Sequence, residues 1–410
     1  MKKLLVSMAT VPLLLGGLSV TASAEDGFNI FSGVKLSGEI RPRYEMADKE
    51  GGTDAASAMT ARTRLAAEAG LFEVDGLSAK VGITSVNNFG YTDYAPADSK
   101  YDTILDAQQA MLSEGYVSYK VAKTSLLAGR SFINLDDQRF IGTVGWRQME
   151  RAYDSVTVVD KSIKGLTLLG SWIYGYQGVN SNPTTDTASA LVNVNYKMND
   201  ALAISAFSYL IADVHDTYGA RVSGKVAMDS IKLNYAASYA MQSKASLDYS
   251  SKTNADIDAS YYDLALGANI SGLLVGAEYE VLGKANGSST KGFTTPLATL
   301  HKFQGFADEF LAQTAGSNNN GLMDASVKLG YASKKIGKAF VIYHSFTAES
   351  GSATDLGSEI DALYVSKIPG VNGLKVLVKA AYYTAGETGS GHVSDNTKYW
   401  AQLDYKFSTK

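Results

Sequence analysis

Eight of the nine arginines in this 410-residue chain fall between Arg41 and Arg151. Arg130, Arg139, Arg147 and Arg151 sit in the stretch Leu126–Asp154, with Asp136, Asp137, Glu150 and Asp154 among them. Arg41, Arg43, Arg62 and Arg64 come as two pairs, each spaced by one residue. A guanidinium keeps a planar fork that grips carboxylate or phosphate through two hydrogen bonds. Rings of such charge select among permeating ions. The types and spacing therefore suit anion recognition. They suit internal salt bridging equally well, because Glu39, Glu45, Glu68 and the acids of the 126–154 stretch lie close by in sequence. Both readings stand at this point.

Other chemistry finds little footing. The four histidines, His215, His301, His344 and His392, lie in separate segments. Asp213-Val-His215-Asp216 is the one local acid–histidine group, and it reads as a polar tight turn. The chain has no H-E-x-x-H, phosphate-binding loop or G-x-S-x-G. The acidic pairs Asp136-Asp137 and Asp256/Asp258 could hold a divalent cation at a loop, but such pairs are more often solvated. No catalytic residue, metal or cofactor is expected, and the protein is not read as an enzyme.

The elements that must position the arginines announce themselves by alternation with period two. Leu36, Gly38, Ile40, Pro42 and Tyr44 alternate with Lys35, Ser37, Glu39, Arg41 and Arg43. Met59, Ala61, Thr63, Leu65 and Ala67 alternate with Thr60, Arg62, Arg64 and Glu68. Ile231, Leu233, Tyr235, Ala237 and Tyr239 alternate with Lys232, Asn234 and Ser238. Turn signals divide the segments in a short–long rhythm. Short turns such as Glu73–Gly76, Val121–Thr124 and Lys367–Gly373 alternate with longer polar stretches such as Gly90–Ser113, Ile133–Glu150 and Gly283–Asn320. The link near Asp213–Asp216 breaks the rhythm. The segments number about eighteen, an even count, with strands of about ten residues. This predicts an all-β fold: a transmembrane antiparallel β-barrel with short periplasmic turns and long extracellular loops. Tyrosines near strand ends (Tyr44, Tyr116, Tyr174, Tyr209, Tyr239, Tyr279, Tyr343, Tyr382) are expected on the outer face as an interfacial girdle. The last strand, with Tyr399, Ala401, Leu403, Tyr405 and Phe407 on one face, resembles the closing strand of bacterial outer-membrane proteins.

The domain plan is simple. Residues 1–24 read as a signal peptide: Lys2 and Lys3, an apolar run Leu4–Leu18, and a small-residue site Ala22-Ser23-Ala24. Cleavage after Ala24 removes two lysines and no acid, taking the formal charge from -4 to -6. Residues 25–410 form the barrel. The mildly acidic balance points away from nucleic acid. An exported chain without cysteine must be held by something other than disulfides.

An arginine facing lipid at mid-depth costs about 2–4 kcal/mol. Four would consume much of a typical stability of about 5–15 kcal/mol. Arg41, Arg43, Arg62 and Arg64 must therefore face inward or sit above the membrane. A barrel this wide leaves an aqueous lumen that side chains alone do not fill. The segment Ile133–Glu150 is too long for a hairpin turn and carries Phe140, Ile141, Val144 and Trp146. It is expected to fold inward and narrow the channel, with an external cap as the alternative. Phe303–Leu311 suits a short amphipathic helix in the longest loop.

Two stretches resemble a known family. Gly129-Arg130, Asp136-Asp137-Gln138-Arg139-Phe140-Ile141-Gly142, Gly145-Trp146-Arg147-Gln148 and Tyr153-Asp154 look like the signature of the alginate-export family of outer-membrane proteins. So does Thr295–Asp308 with Phe310-Leu311. The resemblance is specific in these stretches and loose elsewhere. It implies an eighteen-stranded monomeric barrel whose arginine-rich lumen conducts an acidic polysaccharide outward, with Arg130, Arg139, Arg147 and Arg151 matching the motif. Alginate itself does not carry over, since many members have no known cargo.

The expected function is an outer-membrane porin for passive diffusion of small anionic hydrophilic solutes. The alternative is an export conduit for an acidic polysaccharide, working with a periplasmic machine. The expected pore-lining residues are Arg41, Arg43, Arg62, Arg64, Arg130, Asp136, Asp137, Arg139, Arg147, Arg151 and Asp154. The expected partners are outer-membrane lipid and lipopolysaccharide, the assembly machinery acting through the C-terminal strand, and the solute. A monomer is expected rather than a trimer.

Overall fold

The computed structural model describes residues 29–180, 184–250 and 256–409. The expected signal peptide and its cleavage site lie outside them. The described residues form eighteen strands: β1 (Phe31–Lys49), β2 (Ala56–Leu71), β3 (Leu77–Asn87), β4 (Gln109–Val121), β5 (Thr124–Ser131), β6 (Ala152–Asp160), β7 (Leu166–Gln177), β8 (Thr185–Lys197), β9 (Ala203–Ile211), β10 (His215–Met228), β11 (Ile231–Ser243), β12 (Asp258–Ile270), β13 (Leu273–Leu282), β14 (Leu322–Ser333), β15 (Gly337–Thr347), β16 (Asp355–Lys367), β17 (Leu374–Thr384) and β18 (Asn396–Ser408). Each pairs antiparallel with its sequence neighbours in one 18-stranded sheet. β18 closes on β1, from Ser37 opposite Ser408 to Lys49 opposite Asn396. Closure leaves no unpaired edge, which a hydrocarbon surrounding requires.

The alternation read from the sequence sorts side chains as expected. On β1, Ile40 and Tyr44 are exposed outward while Glu39, Arg41, Arg43 and Glu45 are buried inside. Leu264 and Leu266 on β12 and Val327 and Leu329 on β14 belong to the same outer apolar band. The turns at one end are tight. Gly76, at φ 79°, is needed in the β2–β3 turn, because a Cβ there would meet the Lys120 carbonyl oxygen at 2.0 Å.

Three expectations are corrected. Tyr209 and Tyr116 do not join the outer girdle. β9 is apolar on both faces, and Tyr209 points inward, stacked on Phe207 at 4.8 Å. A bulge in β4 opposite Gly82/Ile83 reverses the parity after Leu112, so Val117 and Tyr119 face out and Tyr116 does not. β1 and β2, at 19 and 16 residues, exceed the expected length. Their loop-side ends, Ala47, Ala56 and Ala58, pack against Tyr94 and Ile104 of the β3–β4 loop. Finally, Phe303–Leu311 is not a helix. Its amides go to the wall instead of to helical carbonyls: Phe306 N–H donates to Asp361 at 3.0 Å and Ala307 N–H to Glu359 at 2.7 Å. Short helical turns form only on either side of it, over Leu300–Lys302 and Gln313–Ser317.

Replacing Leu264 with Arg on the outer face should destabilise the folded barrel by about 2–4 kcal/mol. Ser326→Lys, on the inner face of β14 beside the inward Lys328, should be tolerated. Urea midpoints of the two refolded variants in lipid vesicles, compared with the parent, measure the difference.

Candidate functional site

The interior is built by strand parity and then filled by loops. β1 and β2 place Arg41 directly opposite Arg62, a like-charge pair that is unfavourable unless neutralised. Glu39 neutralises it, meeting Arg41 at 2.8 Å and Arg62 at 2.6 Å. Asp404 on β18 takes a second side of Arg41 at 2.6 Å.

The remaining partners arrive on the 132–151 segment between β5 and β6, the 88–108 segment between β3 and β4, and the 283–321 segment between β13 and β14. Glu150 reaches Arg62 at 2.8 Å and Arg64 at 3.0 Å. Asp106 meets Arg43 at 2.9 Å, and the Arg43 guanidinium also donates to the Trp146 carbonyl and lies 4.2 Å from the Trp146 ring centre. Arg147 projects the other way, from loop to wall and loop to loop, pairing with Glu45 at 2.9 Å and Asp308 at 2.7 Å. The 132–151 and 283–321 segments are also bonded to each other, through Gly142 N–H to the Leu297 carbonyl at 2.8 Å and Thr299 N–H to the Gln138 carbonyl at 3.0 Å.

On the far side, Phe140 packs among Phe207, Tyr261 and Phe293, with ring centres 4.9, 5.2 and 6.1 Å away. Ile141 is buried in the same cluster. The inward folding expected for Ile133–Glu150 is what the structure shows. Arg139 pairs with Glu280 at 2.5 Å and donates to Thr295 at 3.0 Å. Asp137 meets Arg221 at 3.0 Å, and Asp136 accepts from Asn193 at 2.9 Å. Arg151 donates to the carbonyls of Pro296, Gly142 and Ala298 at 3.0, 3.4 and 3.4 Å, clasping the two loops together.

The loop groups are held charged by their neighbours. Burial would raise the Glu150 carboxyl, but Arg64, Arg62 and Arg41 bring it below its ordinary value. Burial would likewise raise Asp308, yet His301, Lys398 and Arg147 hold it well below the carboxylate range. Burial would lower the Arg147 guanidinium, and Glu45, Asp308 and Asp106 outweigh that and raise it.

The residues expected to line the pore thus divide into three groups. Arg43, Arg62, Arg139 and Arg147 are at most 2% exposed and Arg41 is 8% exposed. They are loop anchors covered by their counter-ions, and the internal salt-bridge reading describes them. Arg64, Asp137 and Arg151 are half-buried inside the barrel, and Asp136 is exposed. Arg130 and Asp154 are a correction. Arg130 shares parity with the outward Leu126 and Ala128, and Asp154 with the outward Val156. They form an ion pair with two bonds, at 2.7 and 2.6 Å, on the outer face at the loop-side ends of β5 and β6. There the guanidinium is satisfied by its own carboxylate, Gln177 and Thr184.

Sequence reasoning missed a second set of charges. Inward carboxylates line the adjoining sector of the wall: Asp263 on β12, Glu278 and Glu280 on β13, Asp324 on β14, and Glu359 and Asp361 on β16. Lys379 on β17, Lys398 on β18 and Lys80 on β3 extend the cationic side, which with the arginines spans the five neighbouring strands β17, β18, β1, β2 and β3. Cavities of about 420 Å³ and 360 Å³ lie on either side of the loop layer. The first, toward the short turns, is lined by Lys35, Glu68, Ser78, Ser118 and Lys120. The second, toward the long loops, is lined by Gln313, Asn319, Asn320, Ser352 and His392.

A closed eighteen-stranded antiparallel barrel with an apolar exterior and a charged, loop-narrowed interior has the fold of outer-membrane porins. Among solved structures, the chain is similar to Pseudomonas aeruginosa OccK8 (OprE), with a TM-score of 0.70 and 16% identity, covering 93% of this chain and 100% of that one. It is similar to Acinetobacter baumannii OccAB3, with a TM-score of 0.72 and 16% identity over 92% and 99% of the two chains. It is also similar to Pseudomonas aeruginosa OpdK with vanillate, with a TM-score of 0.69 and 15% identity over 92% and 100%. At these identities the likeness is one of fold. No protein-family model and no curated protein matches the chain, so the resemblance to the alginate-export family gains no support.

Arg147→Met should unseat the loops, because it leaves Glu45 and Asp308 buried without their shared cation. Breaking such a buried pair costs about 3–5 kcal/mol. Trypsin should then cut the intact barrel after Arg139, Arg151 or Lys302, sites that the parent protects. Mass spectrometry of the fragments reads the outcome.

Proposed function

We propose that this protein is a passive channel of the outer membrane for small hydrophilic anions, carboxylates among them. The observation that carries the reading is the cationic band over β17–β3 set beside the carboxylates of β12–β16 on the neighbouring sector of a loop-narrowed lumen. A transverse field of this kind orients a small charged solute, and solvated inward cations raise the local concentration of anions. That the similar OpdK structure is one with vanillate, an aromatic carboxylate, supports the class of solute. Residues 1–24 direct export and are removed after Ala24. Lipid and lipopolysaccharide surround the apolar band, the C-terminal strand engages the assembly machinery, and the barrel works as a monomer without catalysis. The alginate-type alternative, a conduit for an acidic polymer, sits less well with two loops bonded to each other inside the barrel.

Selectivity should rest on the inward cations that keep contact with solvent, not on the buried anchors. Neutralising Arg64 and Lys80 together to Gln leaves Glu150 paired with Arg62, so the loops stay seated. In a planar bilayer under a salt gradient, the parent should show an anion-selective reversal potential and the double variant a smaller one. A cation-selective parent, or an unchanged potential in the variant, would count against the proposal.

A further inference from the structure

His301 occupies an unusual place. It belongs to the 283–321 segment and is 4% exposed. Its ring is stacked on Trp146 of the other inward loop, 4.6 Å centre to centre at 8° between planes, and on Phe306 at 5.8 Å. Trp400 of β18 closes the pocket edge-on at 5.7 Å. Both ring nitrogens are engaged. Nδ1 lies 2.7 Å from an Asp308 oxygen, and Nε2 lies 2.6 Å from the Lys379 ammonium on β17. The partners assign the tautomer: Nδ1–H donates to the carboxylate, and Nε2 accepts from Lys379. The ammonium is enclosed by aromatic faces, 3.3 Å from the Phe306 ring centre and 4.0 Å from that of Trp146.

This contact ties the 283–321 segment to the wall where Trp146 of the other loop stacks on it, and it works only while His301 is neutral. We infer that the His301–Lys379 contact is an acid-sensitive latch, and that protonation of His301 loosens the two-loop layer across the lumen. The inference rests on the channel reading above. A proton on Nε2 removes the acceptor that Lys379 uses and sets two cations 2.6 Å apart in a site closed to water. The surrounding charges do not rescue it. Asp308 is already shared with Arg147 at 2.7 Å and faces Lys398 at 3.7 Å. Arg43, beyond Trp146, adds a further cation. Glu45 is bound to Arg147. Lys302, next in the chain, gives its ammonium to the Asp137 carbonyl at 2.5 Å. On β16, Glu359 and Asp361 accept the amides of Ala307 and Phe306, and His344 stands 3.6 Å behind Asp361.

The direction of the pH effect follows. Burial lowers the affinity of docked His301 for a proton well below the ordinary 6.5. Asp308 raises it, and Lys379 lowers it further. A released loop returns the imidazole to its ordinary value. Below pH 6.5 the released form binds a proton that the docked form refuses. Each further pH unit shifts the balance toward release by up to about tenfold, until the docked ring itself titrates. Well above pH 6.5 neither form is protonated and the latch holds.

The test compares single-channel conductance at pH 7.5 and pH 5.0 in symmetric salt for the refolded parent and His301→Gln, with folding checked by heat-modifiable mobility. Glutamine offers Lys379 an acceptor and does not titrate. The parent should conduct at least about twofold more at pH 5.0, and the variant should have nearly equal conductance at both values. If His301→Gln fails to assemble, Lys379→Met serves instead. It removes the like-charge neighbour, so the acid response should shrink. A parent that conducts but ignores pH, or a variant that keeps the full acid response, overturns the latch alone. A parent that forms no channel at either pH overturns the channel reading with it.

Discussion

The structure depends on excluding charge from one side of a single sheet. Lipid-facing strands cannot carry guanidinium groups at mid-depth without a penalty of about 2–4 kcal/mol each. Arg41, Arg43, Arg62 and Arg64 are therefore turned inward together, on two adjacent strands. That solves the lipid problem and creates another, because Arg41 and Arg62 now face each other in register. Local acids meet part of the demand: Glu39 bridges both, and Asp404 holds Arg41. The rest comes from chain that leaves the wall and returns, carrying Asp106 and Glu150 to the wall arginines. Arg147 answers from the loop side, joining Glu45 of the wall to Asp308 of the second loop. The inward loops are thus a consequence of wall charge as much as of their own sequence.

Ion pairing alone would not hold the loops there. A buried pair roughly breaks even against well-packed apolar side chains once desolvation is counted. The favourable term is the burial of Phe140, Ile141, Phe293, Leu297 and Phe310 against an inner wall that is aromatic on β9 and β12 and apolar at Leu322, Phe346 and Leu356. The ion pairs act instead on placement. Greasy contacts tolerate sliding. A guanidinium held by two named carboxylates, as Arg147 is, does not. Arg139, set 141 residues from Glu280 in the chain, fixes the other end of the same loop in the same way. Two anchors on separate strands, β1 and β13, fix the course of the segment through the lumen.

Much of this was legible in the sequence, and the rest was hidden for identifiable reasons. The barrel was visible because alternation is a local signal: Glu39–Glu45 of β1 alone display it. The inward course of Ile133–Glu150 was visible in its apolar residues. Arg130 and Asp154 read as pore-lining only from the company they keep in the 126–154 stretch. Counting parity from Leu126 and Val156 would have sent them to the outer rim. Tyr116 was lost to a bulge, which reverses parity without a strong composition signal. The acidic wall went unseen because Asp263, Glu280, Asp324, Glu359 and Asp361 are scattered over four strands and meet only when the sheet closes. Their shared inward parity was the available clue. His301 gave no clue at all, since its partners are a loop carboxylate seven residues on and a lysine on β17.

Burial therefore assigns two different roles to residues of one type. An arginine buried against protein acceptors presents no surface to a passing solute. Arg43 and Arg147, at 0% and 2% exposure, define a shape and not a binding surface. In the proposed channel, a cation that keeps some solvent, such as Arg64 or Lys80, would act through a shell of water that an anion can enter. On that proposal the buried, paired charges would shape the aperture, and the partly exposed ones would set the potential within it. The same division explains why neutral His301 is the weak point of the loop layer. The other contacts named in that layer join opposite charges, close apolar surface, or run from N–H donors to oxygens that do not titrate. This one joins a cation to a base, and a single proton turns it from attraction to repulsion.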